Sequence, residues 1–326
     1  MPGRRAYILI LGAALGAVFL YLAVRQLDWH AFYGTLAHAH AGQVALGLAC
    51  LFAYFAVKAL RWRFLIEPFA KARTRELLPA VVAGLAGNYV FPHVGEFARA
   101  VLASLRLETP PGALLGSIAI ERFFDFLTLL VIVLVVMLPL GGMDENIRSA
   151  SLFVAILCVA ILASAVLFVF QTETCLAITR RLFAPFSRTL AERAIYHLGQ
   201  ARVGLGAIGA PRLLVPIFGL SLLQWLVFLG CVVFSLRAVD VSVTLPSAVA
   251  VLLLNVIGLT LPAAPGHVGT VQIAFIVALA PFGVTQEHAF AASVVYNFLI
   301  VVPTVILGFP GLRQAGTALR ARLQPG

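Results

Sequence analysis

One apolar stretch of the chain carries an amide (Asn88), an imidazole (His93), a carboxylate (Glu96) and a guanidinium (Arg99), and a second carries two carboxylates (Glu121, Asp125) and a guanidinium (Arg122). Arginine presents a fork of N–H donors suited to phosphate or carboxylate. Arg99 and Arg122 are therefore the candidate binders of an anionic group, helped by the positive ends of short helices. Glu121 and Asp125 share a helix face at a spacing of four, and Arg122 meets Asp125 at three. The three carboxylates would hold the arginines in an empty site, or carry a proton if movement of a substrate is coupled to one. An isolated charge at the centre of a membrane span costs about 2.5–3.5 kcal/mol. Glu121, Arg122 and Asp125 are thus expected to face a bundle interior, paired with each other or with Arg99 and Glu96. Such a network can also pin two helices, and the two roles are compatible.

No catalytic constellation accompanies these charges. The sequence has no phosphate-binding G-x4-G-K-[ST] loop and no H-E-x-x-H. His93 and Glu96 lie three apart, but across a Pro/Gly break. His30, His38 and His40 have no helix-face spacing, and the four cysteines are scattered without metal or disulfide spacing. The expectation is a protein that is not an enzyme and uses no metal or cofactor.

These groups sit in a chain of 326 residues that is 62% hydrophobic and only 11% charged, with a mean hydropathy of +1.03. That composition excludes a soluble domain and implies an all-α polytopic membrane protein, since the apolar runs are too long for barrel strands. The formal net charge of +10 is accordingly read as membrane topology, not as nucleic-acid binding. The run from Ala6 to Val24 is too long for a signal peptide and reads as a first span.

The elements follow in order. A polar loop covers Arg25 to Gly42, and a second span covers Gln43 to Leu65. Lys58 and Arg61, three apart near its end, read either as cations snorkelling to headgroups or as guards of the cytoplasmic mouth of a cavity. Two short pieces, Leu77–Phe91 and Gly95–Leu105, flank a Pro92-His93-Val94-Gly95 break. Helices that short fall below the ~30 Å hydrocarbon core, which predicts a re-entrant hairpin. Spans at Ala113–Leu138 and Ala150–Phe170 come next, then a basic amphipathic connector, residues 171–212, expected on the cytoplasmic leaflet. Leu213–Leu236 spans again. Leu245–Leu261 and Gly269–Pro281 repeat the broken pair around P-A-A-P-G-H-V-G, and Glu287–Gly308 is the last span.

Six spanning helices and two hairpins result, in a single membrane domain over residues 1–326. Of the 23 basic residues, 17 fall on the side of the termini, which predicts an inner-membrane protein with both termini cytoplasmic. Residues 43–138 and 213–308 each read span, broken hairpin, span, but in opposite directions. Broken segments at matching positions of inverted halves point to a mid-membrane binding site. The two tips, Pro92–Gly95 and Pro265–Gly269, are expected to meet there. Asn88 and Asn255 would satisfy unwound backbone at the tips, and Pro265, Gly266, Gly269 and Gln272 would complete the site.

Asn88 with Pro92, Gly95-Glu96 and Arg99, Glu121-Arg122 with Asp125, and Pro262 with Pro265-Gly266 and Gly269 together resemble the flippase-like integral membrane family related to the membrane domain of lysylphosphatidylglycerol synthases. The resemblance runs from about the first span to the last. It implies a lipid translocase, or a membrane partner in lipid or glycan assembly. Two residues depart from the family pattern: His267 where many members have Gly, and Gln272 where many have an acid. The sequence holds no long polar stretch of the kind an aminoacyl-transferring domain would need.

The function expected is movement of an anionic or headgroup-bearing lipid, or a lipid-linked intermediate, between leaflets. A non-transporting scaffold and an intramembrane lipid-linked transferase are the alternatives. Expected partners are a membrane lipid, a further copy of the chain or enzymes of the same pathway, and no nucleic acid.

Overall fold

A computed structural model describes residues 14, 16–25, 27–90, 94–137, 152, 156, 159–160, 210–260 and 264–323. Expectations for Pro92, His93, Pro262, the span Ala150–Phe170 and nearly all of the connector 171–212 concern residues that lie outside these, wholly or in the main. Every regular element among the described residues is helical. After a helical segment over 16–24 come α1 (Trp29–Ala37), α2 (Ala41–Ile66), α3 (Thr74–Val90), α4 (Val94–Leu107) and α5 (Pro111–Met137). The second half holds α6 (Pro211–Arg237), α7 (Leu245–Thr260), a 3-10 turn (Pro265–His267), α8 (Thr270–Leu279), a second 3-10 turn (Ala280–Phe282) and α9 (Gln286–Leu323).

Local chemistry sets many of these boundaries. Asp28 starts α1 by accepting the backbone N–H groups of His30 and Ala31 at 2.9 and 3.1 Å, so the expected polar loop contains a short helix. Prolines at the first helical position open α5 and α6, where a missing N–H costs nothing. Thr244 and Ser247 exchange backbone and side-chain hydrogen bonds ahead of α7.

Four described segments are long and apolar enough to cross a membrane: α2, α6, Pro265–Phe282 and most of α9. Three of these match spans among the six expected from the sequence, and the fourth, Pro265–Phe282, falls where an arm of the second hairpin was expected. Helix α5 has the length, 27 residues, but carries Glu121, Arg122 and Asp125. Helices α3, α4 and α7, at 17, 14 and 16 residues, rise about 25, 21 and 24 Å, short of a bilayer core. The second hairpin departs from expectation on its return arm. The 3-10 turns extend α8 to an 18-residue segment, so its length does not require it to turn back within the membrane. Helix α9 also departs: it continues past Gly308 and through Pro303 and Pro310 to 38 residues. It is held against α3 by close packing, with Gly308 against Ala83 and Ala86 and Gly311 against Ala83. Small residues let two backbones approach in this way, and the neighbour steadies the helix where the prolines interrupt its hydrogen bonds.

The contacts fix relative directions. Arg61 meets Ser221 while Gly47 meets Cys231, so α2 and α6 run antiparallel. Trp62 meets Ser117 while Arg61 meets Asp125, so α2 and α5 do too. Two apolar cores result. One contains Leu51 and Phe55 of α2, Leu129 of α5 and Phe228 of α6. The other contains Trp62 and Leu65 of α2, Ile118 of α5 and Ile217 of α6. On all three helices the polar residues Lys58, Arg61, Glu121, Asp125, Ser221 and Gln224 lie between the two sets.

Candidate functional site

The layer between the cores is a continuous ion network. Glu121, fully buried, is its hub. Its Oε1 takes the Lys58 ammonium and, at 3.1 Å, the Arg61 guanidinium, while its Oε2 faces Arg99 at 2.8 Å. Asp125 accepts from Arg61 at 2.6 Å and lies 3.5 Å from Arg122. Arg122 reaches Glu96 at 2.9 Å. Helix α6 closes the layer: Ser221 accepts from Arg61 at 2.9 Å, and the Gln224 amide points to Asp125 at 3.5 Å. The Arg99 guanidinium also lies over the Trp62 ring, 3.7 Å from its centroid. This desolvated cation–π contact is aligned by the Trp62 N–H donated to Ser117.

Four cations (Lys58, Arg61, Arg99, Arg122) and three carboxylates (Glu96, Glu121, Asp125) make up the network, leaving a formal excess of one positive charge. Access is uneven. Lys58, Arg61 and Arg99 are buried, whereas the Arg122 and Glu96 side chains are 44% and 20% exposed. The Arg122–Glu96 pair is therefore the open edge of an otherwise closed cluster.

Lys58 and Arg61, read from sequence as snorkelling cations or guards of a cytoplasmic mouth, occupy the centre of the network instead. Spacing near a helix end cannot separate these cases. Burial can, because the partner carboxylates come from α5. Ser221, Gln224 and Trp62 join the network without a motif to mark them. Their signal was the polar stripe Ser221–Gln224 on an apolar helix, and Trp62 beside Arg61.

The first hairpin is built around Asn88. Its side-chain oxygen accepts the Gly95 backbone N–H at 2.8 Å, and its amide donates to Glu96 at 3.3 Å. One side chain thereby satisfies the backbone at the break and aims the carboxylate that holds Arg122. The two arms touch: a Cβ on Gly95 would collide with the Gly84 carbonyl and stand 2.6 Å from the Asn88 oxygen.

The second hairpin turns through Gly266 and Gly269, at φ +72° and +91°, both in the region that favours glycine. His267 also has a positive φ, +53°, a conformation that glycine adopts at less cost. Gln272 reaches back to the Gly269 N–H at 2.6 Å, a helix-start cap that an amide serves as well as an acid. Asn255 does not support a tip. Its amide donates to Val251 within α7 at 2.9 Å, because the helix continues to Thr260 and leaves no unwound backbone beside it. Pro265 opens the turn. The two broken regions meet through His267, whose ring stands edge-on to Tyr89 with centroids 5.9 Å apart.

Comparison with known proteins adds two findings. A curated protein of Haloferax volcanii named Glycosyltransferase AglD is 24% identical over 353 aligned positions, which cover 98% of this chain and 56% of that protein. The chain thus spans about half the length of the curated relative it matches. That name corrects the expectation of a non-enzyme drawn from the missing nucleotide and metal motifs. The motifs sought belong to nucleotide hydrolysis and zinc chemistry, and their absence is no guide to glycosyl transfer. The family model described as the lysylphosphatidylglycerol synthase TM region matches residues 9–308, a range holding every residue of the ion network and both hairpins. The chain is an integral membrane protein of the lysylphosphatidylglycerol synthase transmembrane-region family.

Proposed function

We propose that this membrane domain binds the charged headgroup of an anionic lipid, or of a lipid-linked intermediate, and carries it between leaflets in a cell-envelope lipid or glycan pathway. The observation that carries the reading is the unbalanced ion network: four cations against three carboxylates, buried except where Arg122 and Glu96 open. A phosphate entering at Arg122 takes up the spare positive charge, and its oxygens accept charge-assisted hydrogen bonds. The tails stay in lipid while the headgroup moves along a polar path. Further support comes from the two broken hairpins that meet at His267 and Tyr89, in units 43–138 and 213–308 of opposite direction. On this reading the site residues are Asn88, Glu96, Arg99, Glu121, Arg122 and Asp125, with the second hairpin as the opposing wall and both termini in the cytoplasm.

A second reading is favoured by the relative's name: the same site holds a lipid-linked donor or acceptor during glycosyl transfer. One experiment separates the two. The purified chain is reconstituted with a fluorescent anionic phospholipid, and the fraction quenched from outside is followed over time. Translocation by the unaltered chain, abolished in Arg122→Ala and retained in Arg106→Ala, is the expected result. Among the described residues Arg106 reaches only the Glu76 carbonyl, at 3.1 Å near the surface. Quenching that stops at the outer leaflet, with glycosyl transfer detected on a lipid-linked sugar, would favour the second reading.

A further inference from the structure

Beside the ion network stand three tyrosines, Tyr54, Tyr89 and Tyr296, whose hydroxyls make no hydrogen bond among the described residues. Tyr54 carries the Lys58 ammonium over its ring at 5.8 Å and lies within electrostatic reach of Asp125 and Arg122. Tyr296 and Tyr89 lie within electrostatic reach of each other and of Tyr54. Phe228 joins the group, with its ring centroid 4.9 Å from Tyr54, 6.0 Å from Trp225 and 6.4 Å from Tyr296. The Trp225 N–H and the Gln224 side-chain oxygen are buried there and unpartnered. Buried indole and amide groups normally find a partner. Several neighbouring donors and acceptors left open together, against aromatic faces, have the composition of a ligand site.

Resting on the proposed lipid-headgroup site, we infer that Tyr54, Tyr89, Tyr296 and Trp225 form a second, uncharged subsite that receives a sugar attached to the lipid phosphate. A pyranose offers C–H faces to aromatic rings and hydroxyls that both donate and accept, which matches phenols, an indole N–H and an amide oxygen. An aminoacylated headgroup is disfavoured, because its ammonium would enter beside a network that already has one cation in excess. The phosphate would stand at Arg122 and the sugar between Tyr54 and Tyr296.

The test uses the full chain in nanodiscs with three probes: a prenyl phosphoryl hexose, the bare prenyl phosphate and lysylphosphatidylglycerol. Dissociation constants are measured for the unaltered chain, Tyr54→Phe, Tyr296→Phe and Arg122→Ala. Tyr→Phe keeps the ring and its packing. Each such change is expected to weaken the hexose lipid about fivefold, the loss of one net hydrogen bond, and to leave the bare phosphate unchanged. Arg122→Ala is expected to weaken both prenyl lipids. Unchanged hexose preference in both tyrosine variants, or tighter binding of lysylphosphatidylglycerol than of the hexose lipid, overturns the sugar subsite. If Arg122→Ala leaves all three affinities unchanged, the proposed headgroup site falls instead.

Discussion

Replacing Glu121 by Gln tests whether the ion network is the energetic centre of the bundle. The hub carboxylate faces Lys58, Arg61 at 3.1 Å and Arg99 at 2.8 Å, and it is fully buried. Four cations then face two carboxylates, so the formal excess rises from one to two. Removing one partner of a buried pair costs about 3–5 kcal/mol because the other charge is stranded. Here three cations lose a partner, which places the expected loss at the upper end, three to four orders of magnitude in the folding equilibrium. Glu96→Gln is the matched comparison. Glu96 and Arg122 are partly exposed, so that loss is expected to be about 1 kcal/mol. The assay is unfolding by SDS in mixed micelles, followed by tryptophan fluorescence. Adding Lys58→Met to Glu121→Gln restores the excess of one and should recover a substantial part of the loss. Equal destabilisation by Glu121→Gln and Glu96→Gln, or no recovery in the double variant, would refute a buried, mutually dependent network.

Other outcomes follow from the same geometry. Gly95→Ala should force the arms of the first hairpin apart, since its new methyl meets the Gly84 carbonyl and the Asn88 oxygen. Proteolysis near residues 91–93 should rise sharply, while Gly316→Ala, with open space around it, should match the unaltered chain. Trp62→Leu removes the face under Arg99 and should weaken anionic lipid binding several-fold, about 1–2 kcal/mol, with a smaller effect from Trp62→Phe; equal effects would argue against the cation–π contact. Cysteines placed at Gly34, Thr74 and Gln314 test orientation: an impermeant reagent should label only Gly34 from outside intact cells, and labelling at Thr74 would reverse the assignment.

Much of this arrangement was legible in the sequence where one residue's chemistry had a single sensible outcome. Glu121, Arg122 and Asp125 could not face lipid, so their pairing followed from cost alone, and Arg122 does reach both Glu96 and Asp125. Asn88 beside a Pro/Gly break announced a side chain needed by the backbone, and the Gly95 N–H is what it serves. Other features depended on partners distant in sequence. Lys58 and Arg61 look like any basic pair near the end of a span, and only the approach of α5 separates a buried hub from a snorkelling edge. Helix α9 passes its prolines because α3 supplies a close partner, which its own sequence does not record. Tyr54, Tyr89 and Tyr296 are unremarkable one by one, and their shared neighbourhood is a property of the packed helices.

The central claim, that the ion network holds an anionic lipid headgroup, is tested most directly by identifying the lipid that travels with the protein. The chain is extracted in mild detergent, washed extensively, and its retained lipid identified by native mass spectrometry, alongside Arg122→Ala prepared in the same way. The account predicts one tightly held anionic lipid or lipid phosphate per chain in the unaltered protein, and its loss in Arg122→Ala with the fold intact. Retention of the same lipid by Arg122→Ala, or a bound population that simply mirrors the neutral and anionic lipids of the source membrane, would contradict it.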